Sequence, residues 1–330
     1  MHVSVIVPTY GNRQSIFRLL DSLAGQSHKD FSVLLVYKEK QGKKEILDRI
    51  KEFRKLNIDI ITQKEGRFEE ALNMAYSKAD GDLGLNTDDD AYVDRDWIKD
   101  HVELHKKNRK VGVATGKVAE TGRKGISGFE MFLYREKWRM NKHTIIDRPI
   151  DKKFDDYEMY IGRSGMLVDT GRRANMIRTF KQHGVNMSWK RDALHGFKLP
   201  CYTKQGGRNE ASAALEVLKR GYLPIHFHKG LAFHPLQESD SRSVSVRTIP
   251  RELTAESVLF SYYVDHFSDY GVDLKLLRLR TRMDHTMSRL MMLNKNNGYS
   301  IGYRIAKEAI EGNWKPDKVR NELIEALSVV

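Results

Sequence analysis

Over residues 3–115, apolar runs of strand length alternate with apolar stripes at helical spacing, and this alternation restricts the fold more than any other feature of the chain. "VSVIVP" (3–8) is followed by Ile16, Leu19, Leu20 and Leu23 at i, i+3, i+4 and i+7. "FSVLLV" (31–36) precedes a stripe of Ile46, Leu47, Ile50, Phe53 and Leu56, and "IDII" (58–61) precedes Phe68, Ala71, Leu72 and Ala75. "DLGLN" (82–86), a helical "WIKDHVELHKK" and "VGVATG" (111–116) continue the series. Strands that alternate with helices predict an α/β fold, Rossmann-like, with a mostly parallel sheet and helices on both faces. Ligands of such sheets sit beyond the carboxyl ends of the strands. Both "PTYGN" (8–12) and "TDDD" (87–90) fall there.

Two common phosphate-binding devices are missing. "PTYGNRQS" stands where a dinucleotide fold carries G-x-G-x-x-G, and no G-x-x-x-x-G-K-[ST] occurs. That argues against a dehydrogenase and a P-loop nucleotidase. The three acids Asp88, Asp89 and Asp90 offer another way to hold phosphates, because Mg²⁺ and Mn²⁺ bridge hard carboxylate oxygens to phosphate oxygens. Residues two apart at a strand end point the same way, so Asp88 and Asp90 can meet one cation while Asp89 faces elsewhere. The alternative is that the acids make a turn or cap a helix, which suits Asp94 and Asp96 better than the triplet.

Composition narrows the setting. With 330 residues, 40% of them hydrophobic, the chain can bury a large core, and its single cysteine, Cys201, rules out a disulfide framework. With no bilayer-length apolar run and an N-terminus that goes straight into a strand pattern, a cytoplasmic protein is expected. The net charge is +13, and residues 101–190 carry 20 Lys/Arg against 10 Asp/Glu. A basic segment attracts anions, whether phosphates on a substrate, nucleic acid or anionic lipid. "GFEMFLYREKWRMNKH" (128–143) interleaves aromatic and cationic residues, which suits either the face of an anionic membrane or a helix packed on its own domain. "GRSGMLVDTGRRANM" (162–176) reads as a loop. The last 80 or so residues read as helical, with Leu253, Val258, Leu259 and Tyr262 in one segment and Ile301, Ile305, Ala309 and Ile310 in another. Met283, Met287, Met291 and Met292 form a further helical stripe.

The order of motifs resembles the family-two, inverting nucleotide-sugar glycosyltransferases of the GT-A fold. That family opens with V-P-x-Y/F-N, and this chain has "VIVPTYGN", with one residue between Tyr10 and Asn12. "QKEGRFEEALNMAYSKADGDLGLNTDDD" (63–90) then supplies Gln63, Gly66, Ala71, Asn73, Gly81, Asp82, Asp88 and Asp90 in the family's order. "GVNMSWKRDALHGF" (184–197) is similar to the stretch before the acceptor site, and counting back from Gly221 and Tyr222 reaches Asn209 and Glu210 where the family shows E-D.

The resemblance implies a GT-A domain over 1–240, with a nucleotide-sugar half (1–115) and an acceptor half (116–240), and a helical extension over 241–330. It implies Glu210 as catalytic base and a divalent cation, Mn²⁺ or Mg²⁺, held by Asp88, Asp90 and His234 of "LAFHP". Donor contacts fall to Pro8, Thr9, Tyr10, Asn12, Gln63, Gly66, Asn73, Asp88 and Asp89. The family's base-binding Asp after the second strand is absent from "VLLVYKEKQG", which leaves Tyr37 or Glu39 to compensate. The implied donor is a nucleoside-diphosphate sugar, UDP-sugar favoured over GDP-sugar, and the implied acceptor is a glycan or lipid-linked hydroxyl. Peripheral contact with an anionic membrane is a further expectation; nucleic acid is not an expected partner. The competing readings are a basic protein that binds nucleic acid or anionic polymer without catalysis, and a sugar-nucleotide pyrophosphorylase.

Overall fold

The computed structural model describes residues 1–11, 14–38, 45–121, 148–235, 250–290 and 297–328. Its contacts divide it into two compact units. The first takes residues 1–121, 174–199 and 209–235, and the second takes 148–173, 200–208 and the described residues from 250 onward.

The first unit follows the expected rhythm: β1 (Val3–Tyr10), α1 (Ile16–Ala24), β2 (Phe31–Lys38), α2 (Glu45–Lys51), β3 (Ile58–Thr62), α3 (Phe68–Lys78) and β4 (Leu83–Asn86). β5 (Tyr92–Val93), α4 (Trp97–Lys107), β6 (Val111–Thr115) and β7 (Val118–Thr121) follow. In the second unit, β8 (Met159–Ile161) and β9 (Leu167–Asp169) form an antiparallel pair. The chain returns to the first unit for β10 (Met176–Arg178), β11 (Met187–Lys190), α5 (Arg191–Leu194), α6 (Asn209–Lys219), β12 (Leu223–Phe227) and β13 (Ala232–Pro235).

Eight strands form one sheet in the order β3-β2-β1-β4-β11-β6-β12-β10. Pairs β1–β2, β1–β4, β2–β3 and β6–β12 are parallel, whereas β11 runs antiparallel between β4 and β6. Alternation decides the layers. Val3, Val5 and Val7 of β1 join Ile16, Leu19, Leu20 and Leu23 of α1 and Trp97, Ile98 and Val102 of α4 in one core. On β6, Gly112 faces the other way, where a Cβ would come within 3.0 Å of Val217 in α6 and 2.6 Å of Tyr222. Helices therefore cover both faces, as an internal parallel sheet requires.

Three expectations need correction. α2 ends at Lys51, so Phe53 and Leu56 reach the core from the turn after it rather than from a helical stripe. Residues 162–176 are not simply a loop: β9 lies within them, and Met166 and Val168 are buried. Tyr37 is 1% exposed and packs in the core beside Val33 and Leu35, which share its face of β2, so it is not placed to meet a nucleotide base. Residues 128–143, Met291 and Met292 lie outside the described residues.

The second unit also contains α7 (Arg251–Phe267), α8 (Leu274–Leu290), α9 (Gly298–Glu311) and α10 (Pro316–Ser328). Val258, Leu259, Tyr262, Ile301, Ile305 and Ala309 are buried, as their spacing predicts. α7 and α9 approach closely at Gly302, where a Cβ would sit 2.5 Å from the Ala255 carbonyl oxygen. No described helix is long and apolar enough to cross a membrane.

Candidate active site

The parallel register of β1 and β4 ends with Ile6 opposite Asn86, and the Thr87 N–H donates to the Ile6 carbonyl at 3.1 Å. The three acids therefore leave the sheet at its carboxyl edge beside Pro8 and Thr9. Thr9 is buried and its hydroxyl donates to the Asp89 carboxylate, so Asp89 turns towards β1. Two residues later the chain enters β5, which pairs antiparallel with β13 through Val93–Ala232 and Tyr92–Phe233. That register carries His234 back to the acids. The Tyr92 and Phe233 rings stack at 4.7 Å, and the Arg18 guanidinium covers Tyr92 at 3.5 Å, which pins the pairing.

His234 Nε2 lies 3.3 Å from Asp90 Oδ1 and 3.5 Å from Asp88 Oδ2. One ligand atom from each of the three lies within 4.8 Å of the others. His234 Nε2 is buried and makes no hydrogen bond among the described residues, although it faces two carboxylates. A buried nitrogen so placed is suited to share a positive charge with those carboxylates, and one imidazole with two carboxylates is a donor set that Mn²⁺ or Mg²⁺ accepts. The residues present fit a divalent cation.

A shallow cleft, open to solvent, runs from Asp88 to Glu210 and is lined between them by Pro8, Leu72, Tyr76, Asn86, Thr87 and Gly184. Glu210 stands in the first turn of α6, where a negative side chain is favoured by the helix dipole. Gly184 leaves room for it, since a Cβ there would lie 2.5 Å from Glu210 Oε1. At the floor, Asn86 donates from Nδ2 to the Tyr76 hydroxyl and accepts from Trp189 Nε1, both at 3.0 Å. Burial, and after it the negative charge of Glu210, pushes the Tyr76 phenol well above its ordinary range, so it stays protonated.

Other expected donor contacts have local work in the structure. The Gln63 N–H donates to the Tyr37 carbonyl at 2.8 Å, and its side-chain amide donates to the Arg67 carbonyl at 2.9 Å. Gly66 has φ +88°, and a Cβ there would sit 2.8 Å from the Glu70 side chain, so the turn into α3 needs glycine. Asn73 exchanges two bonds with the backbone of Leu199, at 2.8 and 2.9 Å. Pro8 lines the cleft and Tyr10 is 51% exposed at the strand end. Asn12 and Glu39 lie outside the described residues.

Sequence reasoning did not anticipate the buried polar network behind the acids. Asn186 Oδ1 accepts from Trp97 Nε1 at 2.8 Å and from His101 Nε2 at 2.9 Å, while its Nδ2 donates to the carbonyls of Lys117 and Gly230 at 2.8 and 2.7 Å. Those carbonyls lie at the entries to β7 and β13. Ser188 Oγ lies 2.8 Å from His101 Nδ1 and 2.9 Å from His105 Nε2. One set of neutral tautomers accounts for these ring contacts: His105 Nε2–H donates to Ser188, Ser188 donates to His101 Nδ1, and His101 Nε2–H donates to Asn186. Burial pushes the His101 imidazole down to about 4 and that of His105 to about 3.

Residues 4–160 match the model of Glycosyl transferase family 2. Over those residues the chain is similar to family 2 glycosyltransferases. A curated relative, the poly(ribitol-phosphate) beta-N-acetylglucosaminyltransferase TarS of Staphylococcus aureus, is 31% identical over 103 residues, covering 30% of this chain and 18% of its own length. The match thus spans less than a fifth of that relative. Among solved structures, the mannosyltransferase PcManGT of Pyrobaculum calidifontis, in complex with GDP-Man and Mn²⁺, aligns with TM-score 0.55 at 17% identity, over 99% of this chain and 86% of its own. Residues 1–349 of S. aureus TarS, in complex with UDP-GlcNAc, align with TM-score 0.52 at 17% identity, over 99% and 84%. These likenesses establish the fold.

Proposed function

We propose that the protein transfers a sugar from a nucleoside-diphosphate sugar to an acceptor hydroxyl with inversion at the anomeric carbon. The observation that carries this reading is that Asp88, which groups with Asp90 and His234, and Glu210 line one and the same cleft. Asp88, Asp90 and His234 would hold Mn²⁺ or Mg²⁺, which when bound offsets the negative charge that builds on the departing nucleotide diphosphate. Thr9 bonds Asp89, while Asp88 and Asp90 gather with His234. Glu210 accepts the proton of the acceptor hydroxyl as it attacks the face opposite the leaving group, and that direction of attack inverts the centre.

A UDP-sugar is the favoured donor and a GDP-sugar the second. The family match supports sugar transfer, and the two structural neighbours, bound to UDP-GlcNAc and to GDP-Man, support this donor class. The acceptor is a glycan or lipid-linked hydroxyl. Glu210→Gln keeps the shape of the side chain and removes the base. It is expected to bind donor as the parent does and to lose transfer by about 10²–10⁴-fold. Parental turnover by that variant contradicts the assignment.

A further inference from the structure

We infer that the outward face of α8 is a docking surface for an anionic lipid bilayer. Lys275, Arg278, Leu279, Arg282, Thr286, Arg289 and Leu290 are all exposed and recur at three- and four-residue spacing, so they form one stripe along the helix. Four of these side chains are cations, none is an acid, and none of the four cations makes an ion pair among the described residues. The one acid of α8, Asp284, is buried and bonded to Arg280 at 2.9 Å on the inward side. The inward side is also the more polar one: Arg280, Thr281, Asp284 and Ser288 are buried there with Leu277. α8 places two leucines in water, Leu279 at 47% and Leu290 at 72% exposure, beside exposed cations that make no ion pair among the described residues.

That combination selects the occupant. Exposed arginines and a lysine alone would serve any polyanion, because phosphates of a lipid headgroup, a polyol-phosphate chain and a nucleic acid present the same charge. Exposed leucines among those cations gain nothing from a soluble polyanion but bury apolar area when the helix lies at the boundary of headgroups and acyl chains. Anionic lipid uses both halves of the stripe, with the long cationic side chains reaching up to the phosphates. The surface lies wholly in the second unit and stands apart from the donor chemistry proposed for the cleft. A lipid-linked acceptor would give it a purpose, but it does not depend on one.

The test is flotation of the full chain with vesicles of phosphatidylcholine alone and of phosphatidylcholine mixed with phosphatidylglycerol, at low and physiological salt. The parent is expected to float with the anionic vesicles only, and less at higher salt. Arg278→Gln with Arg282→Gln is expected to weaken that binding about 30-fold. Leu279→Ser with Leu290→Ser is expected to weaken it as well, leaving a residue that physiological salt removes. The side chains are exposed, so the circular dichroism of both variants should match the parent. Failure of the parent to bind anionic vesicles at low salt overturns the inference, as does parental binding by the arginine variant. Capture of soluble polyphosphate, undiminished in the leucine variant and without vesicle binding, overturns it in favour of a polyanion site. A diphosphate thermal shift on the same samples reads the cleft separately, so failure of one does not disguise failure of the other.

Discussion

Acidification should destabilise the fold through His101 and His105, because both imidazoles are buried in the neutral form. His101 has one N–H, which Asn186 Oδ1 takes, and its Nδ1 must accept from Ser188. A proton on Nδ1 would reverse that bond and send the Ser188 hydroxyl to the Ala114 carbonyl at 3.3 Å, so what opposes protonation is the burial of the charge. The sign follows from linkage. The folded-state values for His101 and His105, about 4 and about 3, lie below the ordinary 6.5, so the unfolded chain binds protons first. Stability from this source is present above about pH 6.5 and is lost as pH falls towards 4. A group moved from 6.5 to about 4 costs about 2 kcal/mol at pH 5 relative to pH 8, and the pair together costs up to about 4 kcal/mol. Urea unfolding of the parent and of His101→Gln with His105→Gln, each at pH 8 and pH 5, isolates the effect from other titrating groups. The parent should lose about 2–4 kcal/mol more than the variant across that interval. Equal losses in the two proteins would refute the neutral relay.

Two further outcomes follow from packing. Gly84→Ala would put a Cβ about 2.1 Å from the Trp189 ring, so the variant should lose about 1–3 kcal/mol in urea unfolding. Parental stability would mean that β11 does not lie against β4 as described. Glu256 of α7 is buried, and its carboxylate accepts three backbone N–H bonds at 2.8 Å, from Lys204, Gln205 and Gly207. Glu256→Ala should cost about 3 kcal/mol and leave diphosphate binding unchanged, which a melting curve with and without ligand reads directly.

Much of this fold was legible along the chain because period reports burial. Val3, Val5 and Val7, the α1 stripe and the run through β2 had to face a core, and they do. The helical end of α2 was misread because Phe53 and Leu56 continue the apolar spacing after the helix has stopped. β11 was not legible as a strand: "MSWK" is too short to show a period, and its place between β4 and β6 is a long-range pairing. The acids and His234 were found by motif order, yet what brings them together is the β5–β13 pairing, which covers two residue pairs. Asn186, Ser188, His101 and His105 are unremarkable residues one at a time, and only the fold closes them into a relay.

The central claim is that the cleft binds a nucleoside diphosphate through a cation held by Asp88, Asp90 and His234. A thermal-shift panel of UDP and GDP, each with and without Mn²⁺, on the parent and on Asp90→Ala tests it most directly. Ligand at about 100 times its dissociation constant stabilises by roughly 2.7 kcal/mol, enough to see. The account predicts a shift with one diphosphate that needs Mn²⁺ and vanishes in Asp90→Ala. An equal shift without metal or in the variant, or no shift with either diphosphate in a folded sample, would contradict it.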